Sequence, residues 1–325
     1  MRIPTRLVPA MAGTIVSCVS AVAAAQDFPN RMVRIVVPFS AGGVTDVMAR
    51  GIASELGKTW AQPVVVENKP GANTIIGTEF VAKSPADGYT ILMANDPSLS
   101  SNQYLYSRLP YDPVRDFTPV VNIAASITVL VAAPSLKADT LQAFIASAKA
   151  DPGKRTYGSF GLGSATHLST EEFSALAGIR LNHIPYKGIA DVVPAVMSGQ
   201  IDVALSAVSP VLGAIRGGKL KALAYANPTR SPVMPDVPTF AEQGLPFETR
   251  AWFGFAVPAG TPRPVVDKIA ADTLRIIETP EFDQKYVSGV GLEPINQGPD
   301  AFATFLKQDR ARWAERVRRV NVKLD

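Results

Sequence analysis

Cysteine is almost missing from this chain: its 325 residues include one, Cys18, which falls in a leader-like opening segment. The rest of the sequence can form no disulfide and offers no thiol nucleophile or cysteine metal ligand, so its stability rests on the size of its core. Histidine is nearly as scarce, with His167 and His183 the only two. They belong to no His-Glu-x-x-His pattern and their separation is not that of paired metal ligands, so no metal site is expected. Gly-x-Ser-x-Gly is absent around Ser159 and Ser164, where Leu162 and Gly163 stand instead. The stretch Phe39–Asp46 lacks Gly-x-Gly-x-x-Gly, Gly161-Leu162-Gly163 runs into Thr166 where a third glycine belongs, and no Walker string Gly-x-x-x-x-Gly-Lys-Ser/Thr occurs. Nucleotide cofactors are therefore not expected, nor is any other. Charge of one sign is also lacking: the formal net charge is +4, about +2 without Arg2 and Arg6. That gives no reason to expect a nucleic-acid partner. The basic run 310–319 reads as a solvated helix face with Trp313 packed inward.

What is present starts with a targeting segment over residues 1–25. Arg2 and Arg6 form a basic head, Leu7–Val22 is mostly apolar but interrupted, and Ala23-Ala24-Ala25 supplies small residues before Gln26. This pattern predicts a cleaved signal peptide and secretion to the periplasm. The alternative is a lipobox at Ile15-Val16-Ser17-Cys18, which would anchor the chain by a lipidated Cys18. The whole chain, 47% hydrophobic and 18% charged, reads as globular, and its length suits two domains.

The organising stretch is Arg34–Asp46, a buried strand that ends in Gly42-Gly43 and runs into a helix. Helix-start amides that face open space attract an anion, which makes a carboxylate or phosphate site one reading and an ordinary sharp turn the other. Thr45 or Asp46 is placed to cap the helix. Strands are expected at 32–39, 64–67 and 89–93 with helices at 44–56 and 74–82, the signature of a parallel sheet with crossovers. A short helix and a loop follow over 96–119. The region 127–250 begins on an apolar strand, 127–133, and carries its own alternation of strands and helices. Within it the strand 156–159 leads through Phe160–Thr166 into a helix, repeating the opening arrangement. A proline-rich turn spans 227–238, a short helix runs through Glu242, a strand follows at 252–257, and helices close the chain at 264–278, 280–288 and 299–317. These segments predict a first lobe from 26–126 with 251–325, a second from 127–250, and a ligand cleft between them.

Several strings together carry a resemblance: Pro38–Asp46, Glu67–Ala72 with Gly77, Pro85–Thr90, Tyr157–Ser159 through His167-Leu168, Tyr186-Lys187-Gly188, and Gly199–Asp202. From about Phe28 onward the chain resembles the Bug family, periplasmic solute-binding receptors related to the TctC protein of tripartite tricarboxylate transporters. The resemblance implies an α/β, two-lobed periplasmic binding protein of Venus-flytrap, type II-like form, each lobe a sheet flanked by helices. It implies no enzyme, but capture of a small organic acid (a dicarboxylate, tricarboxylate or aromatic carboxylate) for uptake or sensing. Membrane subunits of such a transporter, or a sensor, are the implied protein partners of a monomer.

By the same resemblance one carboxylate is held by amides of the loop Phe39, Ser40, Ala41, Gly42, Gly43 and Thr45. The other side of the ligand is held by Ser159, Phe160, Gly163, Ser164, Ala165 and Thr166, with ordered water mediating part of the contact. Ser40 stands where the family commonly has proline, which adds a hydroxyl donor or relaxes the loop. Ser164 is either a ligand contact or a helix cap. Asn73, Asn95 and Ser98 are placed to reach the cleft, Tyr186 and Phe160 to wall it, and Ser209 to donate from a helix start. Asp46, His167 and Asp202 are expected to support the site structurally, because a bare aspartate beside an anion would repel it. Lys187 reads as solvated. The rival function is a periplasmic hydrolase or transferase using the same cleft, which would need a serine or histidine with a base at hydrogen-bond distance.

Overall fold

The computed structural model describes residues 28–186, 188–320 and 324. The expected signal peptide, Cys18 and Lys187 lie outside these residues. Strand β1 (Val33–Val37), helix α1 (Val44–Trp60), β2 (Val64–Asn68), α2 (Ile75–Ala82) and β3 (Thr90–Asn95) open the first lobe. β1 pairs in parallel with both β2 and β3. β1 and β3 bury residues on both faces because helices cover both. Val33, Ile35 and Val37 pack with Met48 and Ile52 of α1 on one side. Val36 and Leu92 point to the other side, where they meet Val81.

A π-helical turn, Pro97–Ser101, leads into α3 (Asn102–Leu105) and then β4 (Phe117–Ser126). The chain enters the second lobe at β5 (Thr128–Ala132) and continues through α4 (Leu141–Ala150), β6 (Thr156–Ser159), α5 (Ala165–Ala177), β7 (Asn182–Pro185), α6 (Ile189–Met197), β8 (Val203–Ala207), α7 (Val208–Arg216) and β9 (Lys221–Tyr225). These strands form a mixed five-stranded sheet in the order β7-β6-β8-β5-β9. Its core includes Phe144, Phe173, Phe240 and Phe247. The chain then returns through β10 (Trp252–Pro258), α8 (Arg263–Ile277), α9 (Pro280–Tyr286), β11 (Leu292–Gln297) and α10 (Pro299–Val320). The first sheet is thereby completed as β11-β4-β10-β3-β1-β2.

Two strands were not expected from sequence. β4 carries Pro119, and its pairing with β10 shifts register between Phe255 and Ala256, where Pro119 sits opposite Ala256. A proline that cannot donate to the ladder hid the strand. β11 holds Pro294 and lies at the sheet edge, the place where proline is tolerated. The helix expected to run through Glu242 is instead a series of turns.

Three segments join the lobes. Two of them, at 126–128 and 226–251, lie side by side. Ser126 and Ala251 exchange bonds, with Ser126 N donating to Ala251 O at 2.7 Å and Ala251 N to Ser126 Oγ at 3.0 Å. The Asn227 side chain accepts from Thr128 N at 2.8 Å and donates to Ser126 O and Glu293 Oε2. A short hydrogen-bonded pair of crossings is the form a hinge takes.

The third is α10. Its first half belongs to the first lobe, where Asp309 accepts from Trp252 Nε1 at 2.9 Å and Arg310 donates to Leu99 O at 2.8 Å. Its last turns reach the second lobe. Arg316, 4% exposed, pairs with Glu172 of α5 and donates to Glu248 O at 2.6 Å. Leu105, Leu168, Trp313 and Val317 form an apolar cluster beside it.

Arg316→Ala removes the partner of a half-buried carboxylate and is expected to cost about 2–3 kcal/mol in urea unfolding, below a fully buried pair because Glu172 is partly exposed. Gly254→Ala places a Cβ 2.5 Å from Val121 O and 2.9 Å from Phe302 Cζ. A loss of about 1–3 kcal/mol is expected by the same measurement, and an unchanged midpoint would show that β10 can move away.

Candidate functional site

The first loop leaves β1 at Pro38 and turns at Gly42, whose φ is +87°, a conformation that glycine adopts without strain. Neither Thr45 nor Asp46 is the helix cap expected from sequence. Gly43 holds the N-cap place with no side-chain cap, and Asp46 reaches back to accept from Gly42 N at 2.9 Å. Arg50, one turn further along α1, donates to the same carboxylate at 3.0 Å. Asn68, at the end of β2, donates to Asp46 Oδ1 at 2.9 Å and to Phe39 O at 3.0 Å. Burial opposes the charge on Asp46, but the hydrogen bonds from Arg50, Gly42 and Asn68 outweigh it and hold the carboxyl below its ordinary range. This network fixes the loop from behind. Ser40–Val44 are exposed, and among the described residues the amides of Ser40, Ala41, Gly43, Val44 and Thr45 have no partner.

The second loop follows β6. Gly161 (φ +112°) and Gly163 (φ +73°) make its turns. Ser164 is the N-cap of α5, accepting from His167 N at 3.3 Å and donating to Gly161 O at 2.7 Å. Phe160 N donates to Thr166 Oγ1 and Gly161 N to Ser159 Oγ. Gly163 N is also occupied, donating to His167 Nδ1 at 3.1 Å. That leaves Leu162, Ala165 and Thr166, among the described residues, with unpartnered amides at this end of α5. The Phe160 and Leu162 side chains are exposed beside them, Leu162 at 65%.

Beneath this loop Tyr157, His167 and His183 stack, the two imidazole centroids 4.3 Å apart. Ser159 Oγ lies 2.6 Å from His183 Nε2. A serine is thus within reach of a base, the feature a hydrolase would need. The serine is fully buried, however, and its hydroxyl also contacts Gly161 O at 3.1 Å. The nearby Glu171 carboxylate is engaged by the Tyr157 hydroxyl at 2.5 Å. Burial and the neighbouring His167 push His183 down to about 4, too weak a base to activate a hydroxyl at neutral pH. Among the described residues no group of three or more His, Cys, Asp or Glu is placed to hold a metal ion.

The remaining candidates scatter more widely. Asn73 is exposed and its side chain donates to Asn102 Oδ1 at 2.8 Å. It sits in an unusual run of positive φ from Gly71 through Ala72, Asn73 and Thr74. Ser98 and Asn95 are buried and bonded to each other, so they shape the end of β3. Tyr186 packs its ring against Gly158, and Ser209 meets Gly291 of the first lobe. Asp202 accepts from Thr156 N and Oγ1 at the start of β6, the opposite end from the loop.

Both loops leave the carboxyl ends of parallel strands, where open α/β sheets place ligands. Gly163 touches Leu324, whose amide donates at 2.9 Å to Leu105 O in the segment following β3, and β3 runs parallel to β1. A separate groove of about 680 Å³ lies on the first lobe, lined in part by Arg31, Arg34, Lys69, Phe80 and Lys83. Its cations are already paired with Asp87, Glu67 and Glu79, so it offers an anion little uncompensated charge.

Sequence reasoning missed Arg50, Asn68 and His183. The i,i+4 spacing of Asp46 and Arg50 was a usable signal; nothing local pointed to His183 as the partner of Ser159.

Comparison with known proteins places this geometry. Residues 48–322 match the model of TctC, the tripartite tricarboxylate transporter family receptor. The chain is 37% identical over 308 residues to protein BugT of Bordetella pertussis, covering 94% of each chain. Among solved structures it superposes on the periplasmic binding protein BugD with TM-score 0.73 and 33% identity, over 91% of this chain and 99% of that one. It also superposes on Rpa4515 of R. palustris with adipate, with TM-score 0.77 and 32% identity, over the same shares. The chain belongs to the TctC family of tripartite tricarboxylate transporter receptors, and its two lobes have the α/β periplasmic binding fold.

Proposed function

We propose that the chain is a periplasmic receptor that closes residues 26–126 and 251–325 over residues 127–250 to capture a small dicarboxylate. The observation that carries this reading is the pair of helix starts with unpartnered amides, one in each lobe, each following the carboxyl end of a parallel strand. One carboxylate docks on the amides of Ser40, Ala41, Gly43 and Thr45, within the turn shaped by Phe39 and Gly42. The other docks on Ala165 and Thr166 at the start of α5. A ligand with a carboxylate at each end satisfies both, and adipate in Rpa4515 is such a molecule. No cation stands in either loop, so the anion is held by helix-end amides and dipoles. Ser159, Gly163 and Ser164 set the shape of the second loop, Phe160 lines its rim, and Asn73, Ser98, Tyr186 and Ser209 lie further out.

Removal of residues 1–25 delivers a monomer to the periplasm, where membrane subunits of a transporter or a sensor recognise the closed form. The hydrolase reading draws on the Ser159–His183 contact, but burial of that serine and the weak basicity of its partner favour binding.

Isothermal titration of the mature protein with adipate, malate, citrate and benzoate is expected to show one-to-one binding of a dicarboxylate. Failure of every acid to bind the folded protein would exclude this function. Asp46→Ala frees Gly42 N and unties Arg50 and Asn68, and is expected to weaken that binding about tenfold, the loss of one charged hydrogen bond. Affinity within twofold of wild type would mean that the loop holds its shape without Asp46.

A further inference from the structure

The second loop is held by two histidines rather than by a carboxylate such as Asp46. We propose that His167 and His183 are positioning residues of the loop Ser159–Ser164, holding its binding shape while neutral and releasing the bound acid when protonated. This rests on the dicarboxylate reading above.

Hydrogen-bond accounting fixes both tautomers. Gly163 N can only donate, so His167 Nδ1 must be the unprotonated acceptor and its proton lies on Nε2. Ser159 Oγ touches Gly161 O, Gly161 N and His183 Nε2. All three contacts are satisfied only if the hydroxyl donates to Gly161 O and accepts from both nitrogens, which puts the His183 proton on Nε2. The two rings therefore act on the loop at separate points, one on Gly163 and the other through Ser159 on Gly161.

Protonation undoes this. A proton added to His167 Nδ1 faces the Gly163 N–H, and two donors cannot bond, so the turn at Gly163 must open. A proton added to His183 enters at Nδ1, for which no acceptor is present among the described residues. The imidazoles are stacked with centroids 4.3 Å apart, so a charge on one disfavours a charge on the other. The titratable groups that face the pair are Tyr157 from β6 and Glu171 from α5. Tyr157 stays neutral, its phenol pushed well up by burial and by Glu171. Glu171 favours a charged His183 but is engaged by the Tyr157 hydroxyl. β8, packed beside β6 and α5, brings only uncharged side chains (203–207).

Burial lowers His167, and burial together with His167 lowers His183 to about 4. A group that binds protons less readily folded than unfolded contributes stability that is complete above the unfolded value of 6.5 and is lost as pH falls toward the folded one. The loop is thus held at neutral pH and loosens on the acid side.

The test has a readout that needs no ligand. The backbone amide resonance of Gly163 in the ligand-free protein is followed from about pH 7.5 to about pH 4.5 alongside the imidazole resonances. It is expected to move with the His167 ring in wild type and to stay in place in His167→Asn, whose Oδ1 accepts the same bond without titrating. Adipate titration supplies the second readout. His167→Ala is expected to lose about tenfold in affinity at neutral pH, and His167→Asn to recover most of that loss. Between about pH 7.5 and pH 5 wild type should lose about tenfold more affinity than His167→Asn, a comparison that cancels titration of adipate itself. If His167→Asn does not fold by circular dichroism, His167→Gln, whose side-chain oxygen is also an acceptor that does not titrate, carries the same comparison.

A Gly163 amide indifferent to histidine titration, or parallel acid loss of affinity in wild type and variant, would overturn the proposal. A responsive Gly163 amide in a protein that binds no acid at any pH would overturn the dicarboxylate reading and leave the positioning role standing.

Discussion

A backbone N–H with no partner inside the protein costs free energy unless water or a ligand takes it, and both loops depend on that constraint. Each helix start is held open by an internal acceptor that satisfies one amide and leaves its neighbours exposed. In the first lobe this acceptor is Asp46, which bonds Gly42 N and is itself held by Arg50 and Asn68. In the second it is His167, which bonds Gly163 N. The same task is given to a charged group in one lobe and to a neutral one in the other. A carboxylate acceptor repels an anionic ligand at close range, whereas a neutral imidazole does not, so the two loops differ in electrostatics although their backbones are alike.

The connection between the lobes bears on how the loops could meet. The crossings near Ser126 and Ala251 are short and bonded to each other, which restricts them to a bending motion. α10 adds a restraint. It is fixed to the first lobe through Asp309 and Arg310, yet its Arg316 grips Glu172 on α5, the helix whose start forms the second loop. Any closure that displaces α5 must carry or strain this ion pair. Breaking it would leave the Arg316 guanidinium in a site that water reaches poorly, which ties ligand-driven motion to a defined contact outside the site.

The positions of both loops were legible in the sequence because glycines between a buried strand and a helix leave few alternatives for the backbone. The parallel arrangement of β1, β2 and β3 could be argued from alternation alone. β4 and β11 were not legible, since Pro119 and Pro294 interrupt their pattern and only the register shift and the edge position make them acceptable. The state of the loop amides was equally hidden. Gly163 looked like a free donor until His167 was seen to occupy it. His183 meets Ser159 from another strand, at a separation in sequence that no local spacing encodes. Contacts of α10 with both lobes escaped for the same reason, as a helix pattern tells which face is buried and not which lobe buries it.

The most direct measurement is a crystal structure of the mature protein with a bound dicarboxylate. The account predicts one carboxylate within hydrogen-bond distance of the amides from Ser40 to Thr45 and the other on those of Ala165 and Thr166, with Gly42 N still on Asp46 and Gly163 N still on His167. An acid seated in the groove beside Arg31 and Lys69, or held by one lobe alone, would contradict it.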